Sequence, residues 1–311
     1  MSTQSNAMPE SFDSQKIAPA AVAATRPLYW SVRRELWEYR SIYIAPLVAA
    51  IVFLLGFFIS MLSLRHRMHD VWPLDSAQGR DVFATRYELA AALIMGIGLI
   101  VGVFYTLDAL YGERRDRSIL FWKSLPVSDL ITVLSKLTIP IVILPLLSFA
   151  ITIATQFIML LLGSIILLGS GVNIATLWTE ASFIHVSLVL LYHFLTVHGL
   201  WYAPLYGWLL LVSAWAPRAP FLWAFLPPFV ICGVEKIAFN TSHFASLVKY
   251  RLMGFAPGAF DFNAHRSVAV DSLAQLTPGR FLSTSGLWIG LGFAAAFLAA
   301  AVRLRRYRGP I

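Results

Sequence analysis

Lysine and glycine are the first residues to consider, because a phosphate-binding loop needs both. Such a loop holds phosphates with the backbone amides of a glycine turn and the ammonium of the lysine that follows. The five lysines are Lys16, Lys123, Lys136, Lys236 and Lys249, and none follows a glycine. No HExxH zinc site and no GxSxG nucleophile elbow occurs. The chain is therefore expected not to be an enzyme and to hold no cofactor of its own.

The remaining candidates are ionisable residues within apolar surroundings. His185, His193 and His198 are spaced by eight and five residues. On one straight helix those spacings point in different directions, so no metal site is expected and the imidazoles are read as packing groups. Cys232 is the only cysteine and lies in an apolar run, which excludes a disulfide framework or a cysteine metal site. Glu235 and Lys236 follow it closely. Charge within a membrane is costly and usually paired or placed on a pathway. They are read either as a pathway or gate pair, or as residues at the outer interface. Asp108 is read as a partner for the Arg114–Arg117 cluster.

The elements that must position these residues follow from composition. The 311 residues are 58% hydrophobic and 13% charged, with mean hydropathy +0.71. Soluble domains carry about twice that share of charge, so much of the chain is expected in a bilayer. A spanning helix needs about 20 apolar residues. Six runs qualify, at 42–62, 89–110, 137–165, 183–215, 221–239 and 286–302. Without water each must satisfy its own backbone, so each is expected to be helical. The third carries Pro140 and Pro145, which invite a kink. The fourth holds Gly199, Pro204 and Gly207, and reads as one broken helix or two short spans. Six spans with both termini inside put most of the 24 basic residues on the cytoplasmic side, whereas a seventh would place Arg303–Arg308 outside. The net charge of +8 is thus a feature of topology, and no basic domain exists for nucleic acid.

Residues 1–26 are polar and alanine-rich and make a poor secretory signal. They are expected to be a disordered cytoplasmic tail, with the first span directing insertion and 27–311 forming the membrane domain. Between them, Leu28–Ser41 is amphipathic: Tyr29, Val32, Leu36 and Tyr39 form one stripe, opposite Ser31, Arg34, Glu35 and Glu38. Arg33 and Arg40 lie between that stripe and Trp30 and Trp37. This pattern fits an interfacial helix, with the tryptophans at headgroup level; the alternative is a simple extension of the first span. The pairs Gly98/Gly102 and Gly286/Gly290 permit close helix approach and are read as packing within the subunit.

The most informative stretch runs from Tyr111 to Lys136. It joins a charged cluster, a short apolar patch of Ile119, Phe121, Trp122 and Leu125, a Pro126-Val127-Ser128 turn, and a new helix capped by Ser128 or Asp129. The patch is too short to span and too apolar for a free loop, which suits a short helix offered to a protein groove. The arrangement resembles the type-2 ABC exporter permease family. There the same position carries an acidic start, a charged run, a Gly-Thr-Leu-like step, a Leu-x-x-x-Pro-Val-Ser turn and a lysine. Glu113, Arg114 and Asp116 match the start, Ser118 and Leu120 the Thr and Leu positions, and Pro126, Val127, Ser128 and Lys136 the turn and lysine. Arg117 stands where the family has glycine.

The resemblance implies an all-α polytopic protein of the bacterial inner membrane. It has six transmembrane helices, an N-terminal interfacial helix and a cytoplasmic coupling helix. It implies that Glu113–Pro126, including Arg115, Asp116, Arg117, Ser118, Leu120, Phe121, Trp122, Lys123 and Leu125, contacts a separate ATPase subunit. Two copies of that subunit would carry ATP and Mg, and the permease would pair with a second permease copy. It further implies that the Asn240–Ser285 segment folds into short outer helices over the pathway. The rival reading, from another class, is a gradient-driven carrier or channel acting alone. An ABC ATPase gene beside this one would separate the two.

Overall fold

The computed structural model describes residues 27–67, 77–125, 127–168, 183–254 and 276–311. The expected tail, Pro126 and 255–275 of the outer segment lie outside these residues. Among the described residues the chain is helical, with no β-strand. Helix α1 spans Pro27–Glu38, α2 Ser41–Arg67 and α3 Ala77–Ala109. The short α4 (Tyr111–Arg115) and α5 (Ile119–Ser124) follow. Then come α6 (Asp129–Thr138), a π-helical segment Ile139–Ile143, and α7 (Leu144–Leu167). Next are α8 (Phe183–His193), a second π-helical segment Phe194–Trp201, and α9 (Ala203–Trp215). The chain ends with α10 (Pro220–Phe239), α11 (His243–Met253), α12 (Pro278–Ser283) and α13 (Ser285–Tyr307).

Five helices are long and apolar enough to cross a membrane, and a sixth span exists if the bent pair Ser187–Trp201 and Ala203–Trp215 counts as one. This is the architecture of a multi-pass membrane protein. The third run is one helical path, Asp129–Ile166, and begins eight residues before the apolar run does. Pro140 removes a donor from it, and the backbone widens locally to π-helical bonding, with the Leu144 amide donating to the Ile139 carbonyl. The fourth run bends by 45° at Tyr202, where Pro204 lacks the donor that would continue the ladder.

The lateral surface is that of a protein solvated by lipid. On α2, Ile44, Leu47, Val48, Ile51, Val52 and Leu55 form an exposed stripe at helical spacing, while Ile42, Ala50, Phe57 and Met61 face inward. Lipid tails are as apolar as leucine, so association rests on close packing rather than on the hydrophobic effect. Gly98 packs against Ser148 of α7, and Gly102 against Tyr206 of α9 and Leu144 of α7; Gly286 and Gly290 pack under Tyr250 and Arg251 of α11. All four glycines therefore serve packing within this chain. Buried hydroxyls close onto their own helices: Thr152 donates to the Ser148 carbonyl at 2.8 Å and Thr155 to Ile151 at 2.7 Å. One core joins Ile42, Tyr105, Val133, Leu144, Leu210 and Ala301 from six helices, next to the end of the bundle that carries α4 and α5.

Candidate functional site

Span α3 ends where Leu110 leaves the helix, and the break is capped from another span. The Leu110 and Tyr111 amides both donate to Ser213 Oγ of α9, at 3.0 and 2.9 Å. After α4 the chain reverses through Asp116 and Arg117, and Arg117 has φ = 58°. Arg117 thus makes a left-handed turn, at a strain of about 1–2 kcal/mol for a residue with a Cβ. Helix α5 follows, and Ser128 then caps α6, its Oγ accepting from the Ile131 amide at 3.2 Å. Because the serine takes the cap, the Asp129 carboxylate is left to bind Arg305.

Beneath α5 lies a buried cluster of charges drawn from α1, α4, α6 and α13. Lys136 Nζ is 2.9 Å from Glu35 Oε1 and 3.2 Å from Glu113 Oε1. Arg305 donates to Glu113 Oε2 at 3.1 Å and also holds Asp129. Arg34 lies 3.4 Å from Glu113 and 3.1 Å from Glu38. Tyr105 donates to Glu35 Oε2 at 2.9 Å. The side chains of Glu35, Glu113, Lys136 and Arg305 are each no more than 4% exposed. Burial pulls Arg34 down, but the carboxylates of Glu35, Glu38 and Glu113 outweigh it and raise its pKa. The cluster therefore acts as a charged bolt joining the first helix, the short connecting helices and two spans.

The residues of the connecting segment divide by exposure. Glu113, Arg114 and Ile119 are buried, while Arg115, Asp116, Arg117, Leu120, Phe121 and Lys123 are exposed. Arg114 points into the bundle and donates to the Ala214 and Ala216 carbonyls at 2.8 and 3.2 Å. Ser118 donates to the Glu113 carbonyl at 3.5 Å. Trp122 and Leu125 are half-buried, and the Arg34 guanidinium covers the Trp122 ring at 3.5 Å. Of the expected contact residues, those exposed toward another protein are Arg115, Asp116, Arg117, Leu120 and Phe121, while the exposed Lys123 donates to carbonyls of this chain. Glu113 and Arg114 tie the segment to the spans instead. A groove of about 300 Å³ runs between α1, α5 and α6, lined by Trp30, Arg34, Trp122, Leu125 and Thr132 among others.

Helix α1 departs from its expected orientation. It is separate from α2, with a break at Tyr39 and Arg40. The arc with Arg34 and Glu35 turns inward and Glu35 is buried, whereas Tyr29 is exposed. The reason is that Lys136 and Tyr105 offer Glu35 partners that the helix alone does not reveal. Val32, Leu36 and Tyr39 do pack on the core. Arg33 sits over both Trp30 and Trp37, at 5.3 and 4.7 Å, and both tryptophans and Arg40 are exposed. Asp108 meets Arg115 at 3.7 Å and accepts from Tyr39 Oη at 3.1 Å.

At the opposite end, Glu235 caps α11. It accepts from Thr241 Oγ1 at 2.8 Å and from the His243 and Phe244 amides at 2.6 and 2.8 Å. Lys236 donates to Asn240 Oδ1 at 2.9 Å. The two groups bind the connection that follows their helix and not each other. Helix α11 is in turn pinned to the bend of the fourth span. Arg251 donates to the Gly286 carbonyl at 3.1 Å and to that of Trp201, whose ring lies 4.6 Å below the guanidinium. Burial lowers the Arg251 pKa to about 10.

His193 and His198 correct the straight-helix expectation. The chain is π-helical over Phe194–Trp201, and i→i+5 bonding stacks residues five apart, so the two rings come within 5.5 Å. No group of three or more His, Cys, Asp or Glu residues arranged to hold a metal occurs among the described residues. The side chain of His185 lies outside that set.

Reasoning from sequence missed Glu35, Arg34, Arg305, Asp129 and Tyr105 as members of one cluster. Their signal was a balance of opposite charges flanking the apolar runs. Neither a protein-family model, nor a curated protein, nor a solved structure matches this chain.

Proposed function

We propose that this chain is the membrane-spanning permease subunit of an ATP-driven exporter. In this reading α4 and α5 are the cytoplasmic coupling element, and a separate ATPase subunit binds ATP and Mg. The observation that carries the reading is the pairing of two features. Leu120 and Phe121 are each 59% exposed on a short helix, and the turn before that helix is bolted through Glu113 to Lys136 and Arg305 on two spans. An apolar knob on a rigid mount transmits a push, whereas a knob on a free loop does not. Closure of the ATPase moves α5, the charged bolt carries the motion to α1, α6 and α13, and the spans reorient between inward and outward access. The fifth span supports a second permease copy: 6% of it is buried within the chain, against 22–39% for the other uninterrupted spans. Both termini then face the cytoplasm, and α1 lies in the inner interface with Trp30, Arg33 and Trp37 at the headgroups.

The test is purification of the chain from its native membrane and reconstitution with the P-loop ATPase that co-purifies with it. Wild-type chain is expected to bind that ATPase and change its turnover. Leu120→Ala/Phe121→Ala is expected to abolish the change while leaving the spans folded. A chain that binds no ATPase, yet moves solute down an ion gradient, would replace this reading with the gradient-driven carrier.

A further inference from the structure

The last residues of the chain lie against the proposed coupling element. Beyond α13, Arg308 turns to extended backbone, and the chain runs back along α4 and α5. The Ile311 amide donates to the Arg114 carbonyl at 3.2 Å, and Arg114 Nε donates to the Gly309 carbonyl at 3.5 Å. Lys123 Nζ donates to the carbonyls of Arg306 and Arg308 at 3.3 and 3.1 Å. Arg308 Nη1 donates to the Trp215 carbonyl at 2.6 Å, at the end of α9. The strap is thus fixed to α4, to α5 and to the fourth span by separate contacts, and Lys123 clips it to the coupling helix.

We infer that this strap forms part of the ATPase docking surface, and that the partner meets it with an acidic rim beside an apolar groove. The inference rests on the reading above. Lys123 spends its ammonium on two backbone carbonyls, which fixes Arg306 and Arg308 next to the Leu120–Phe121 knob. Arg115, Arg117 and Arg306 are exposed around it, with Asp116 the exposed acid among them. An apolar centre with a charged rim is the usual anatomy of a protein interface, and the rim sets association rate and salt dependence. An anionic bilayer also attracts basic, apolar patches. The placement favours a protein. Arg114 anchors this element on the Ala214 and Ala216 carbonyls, and Arg308 anchors it at Trp215, so it lies across the ends of spans. The lipid-level cation is Arg33, on α1 between two exposed tryptophans.

The test uses the full chain in nanodiscs and a P-loop ATPase co-purified with the wild-type chain from native membranes, with Arg306→Glu and Lys123→Gln as variants. Arg306→Glu is expected to weaken ATPase binding about tenfold at low salt and to flatten its salt dependence. Lys123→Gln is expected to weaken it by about threefold or more, with the fold unchanged. If wild type binds and both variants bind within about twofold of it, the strap plays no part in docking, while the coupling reading stands. If wild type does not bind, the coupling reading fails and the strap inference goes with it. If the loss in Arg306→Glu occurs only in discs with anionic lipid, the surface reads headgroups and the inference is overturned.

Discussion

Glu113→Gln is the most informative single substitution, because it keeps the shape of the side chain and removes one charge from the centre of the bolt. Within the cluster Glu35, Glu113 and Asp129 stand against Arg34, Lys136 and Arg305. Arg34 is also held by Glu38, and the variant removes the one carboxylate that all three cations share. An exposed ion pair contributes about 0–1 kcal/mol, but removing one partner from a buried pair costs about 3–5 kcal/mol. The side chains of Glu113, Lys136 and Arg305 are 4%, 1% and 3% exposed, which places this case in the buried class. Lys136 keeps Glu35 and Arg305 keeps Asp129, so the expected loss is the low end, about 3 kcal/mol. Glu113→Gln/Lys136→Met removes one charge of each sign. It is expected to lose less than the sum of the two single variants, by about 1–3 kcal/mol. Unfolding in mixed micelles titrated with SDS, followed by fluorescence of the 10 tryptophans, measures both quantities. A Glu113→Gln variant within about 0.5 kcal/mol of wild type, or strictly additive losses, would refute the account of the cluster.

Arg117→Gly is expected to stabilise the chain by up to about 1 kcal/mol, because φ = 58° costs glycine nothing; the gain from relieved strain is reduced by the greater unfolded-state freedom of glycine. Arg117→Val is expected to destabilise it in the same titration. Glu235→Ala removes the acceptor for three hydrogen bonds at the start of α11. It is expected to speed amide exchange over His243–Met253, and exchange at the wild-type rate would exclude the capping role. Burial, followed by the carboxylates of Asp108 and Glu35, keeps the Tyr39 hydroxyl protonated well above the ordinary phenol range. Its contribution is whole below the unfolded value near 10 and is lost as pH rises above it. Stability is therefore expected to fall above about pH 10, and less steeply in Tyr39→Phe; equal slopes would count against the bond to Asp108.

The spans were legible because a bilayer allows few alternatives to a run of about 20 apolar residues. The start of the third span was not, since Asp129–Lys136 carries charge whose partners come from α13, α4 and α1. The turn from Glu113 to Ser128 could be read from its cap and its charge, and Ser128 does cap α6. Glu35 illustrates the limit of a helical wheel. A wheel sorts residues by polarity and gives no sign that Lys136, 101 residues away, awaits a carboxylate. The break at Tyr202 was legible in Gly199 and Pro204, whereas the approach of His193 to His198 was hidden for a related reason. A period of 100° per residue describes α-helix, and the Phe194–Trp201 segment does not follow it.

Site-directed cross-linking tests the central claim most directly. Cys232 is the only cysteine, so a Cys232→Ala background accepts single cysteines for a photoactivatable label at Phe121, beside the bolt, and at Leu247, on α11. The account expects an adduct with a P-loop ATPase from the Phe121 position, in native membranes, and none from the Leu247 position. No adduct at Phe121, or equal adducts from both ends, would contradict it.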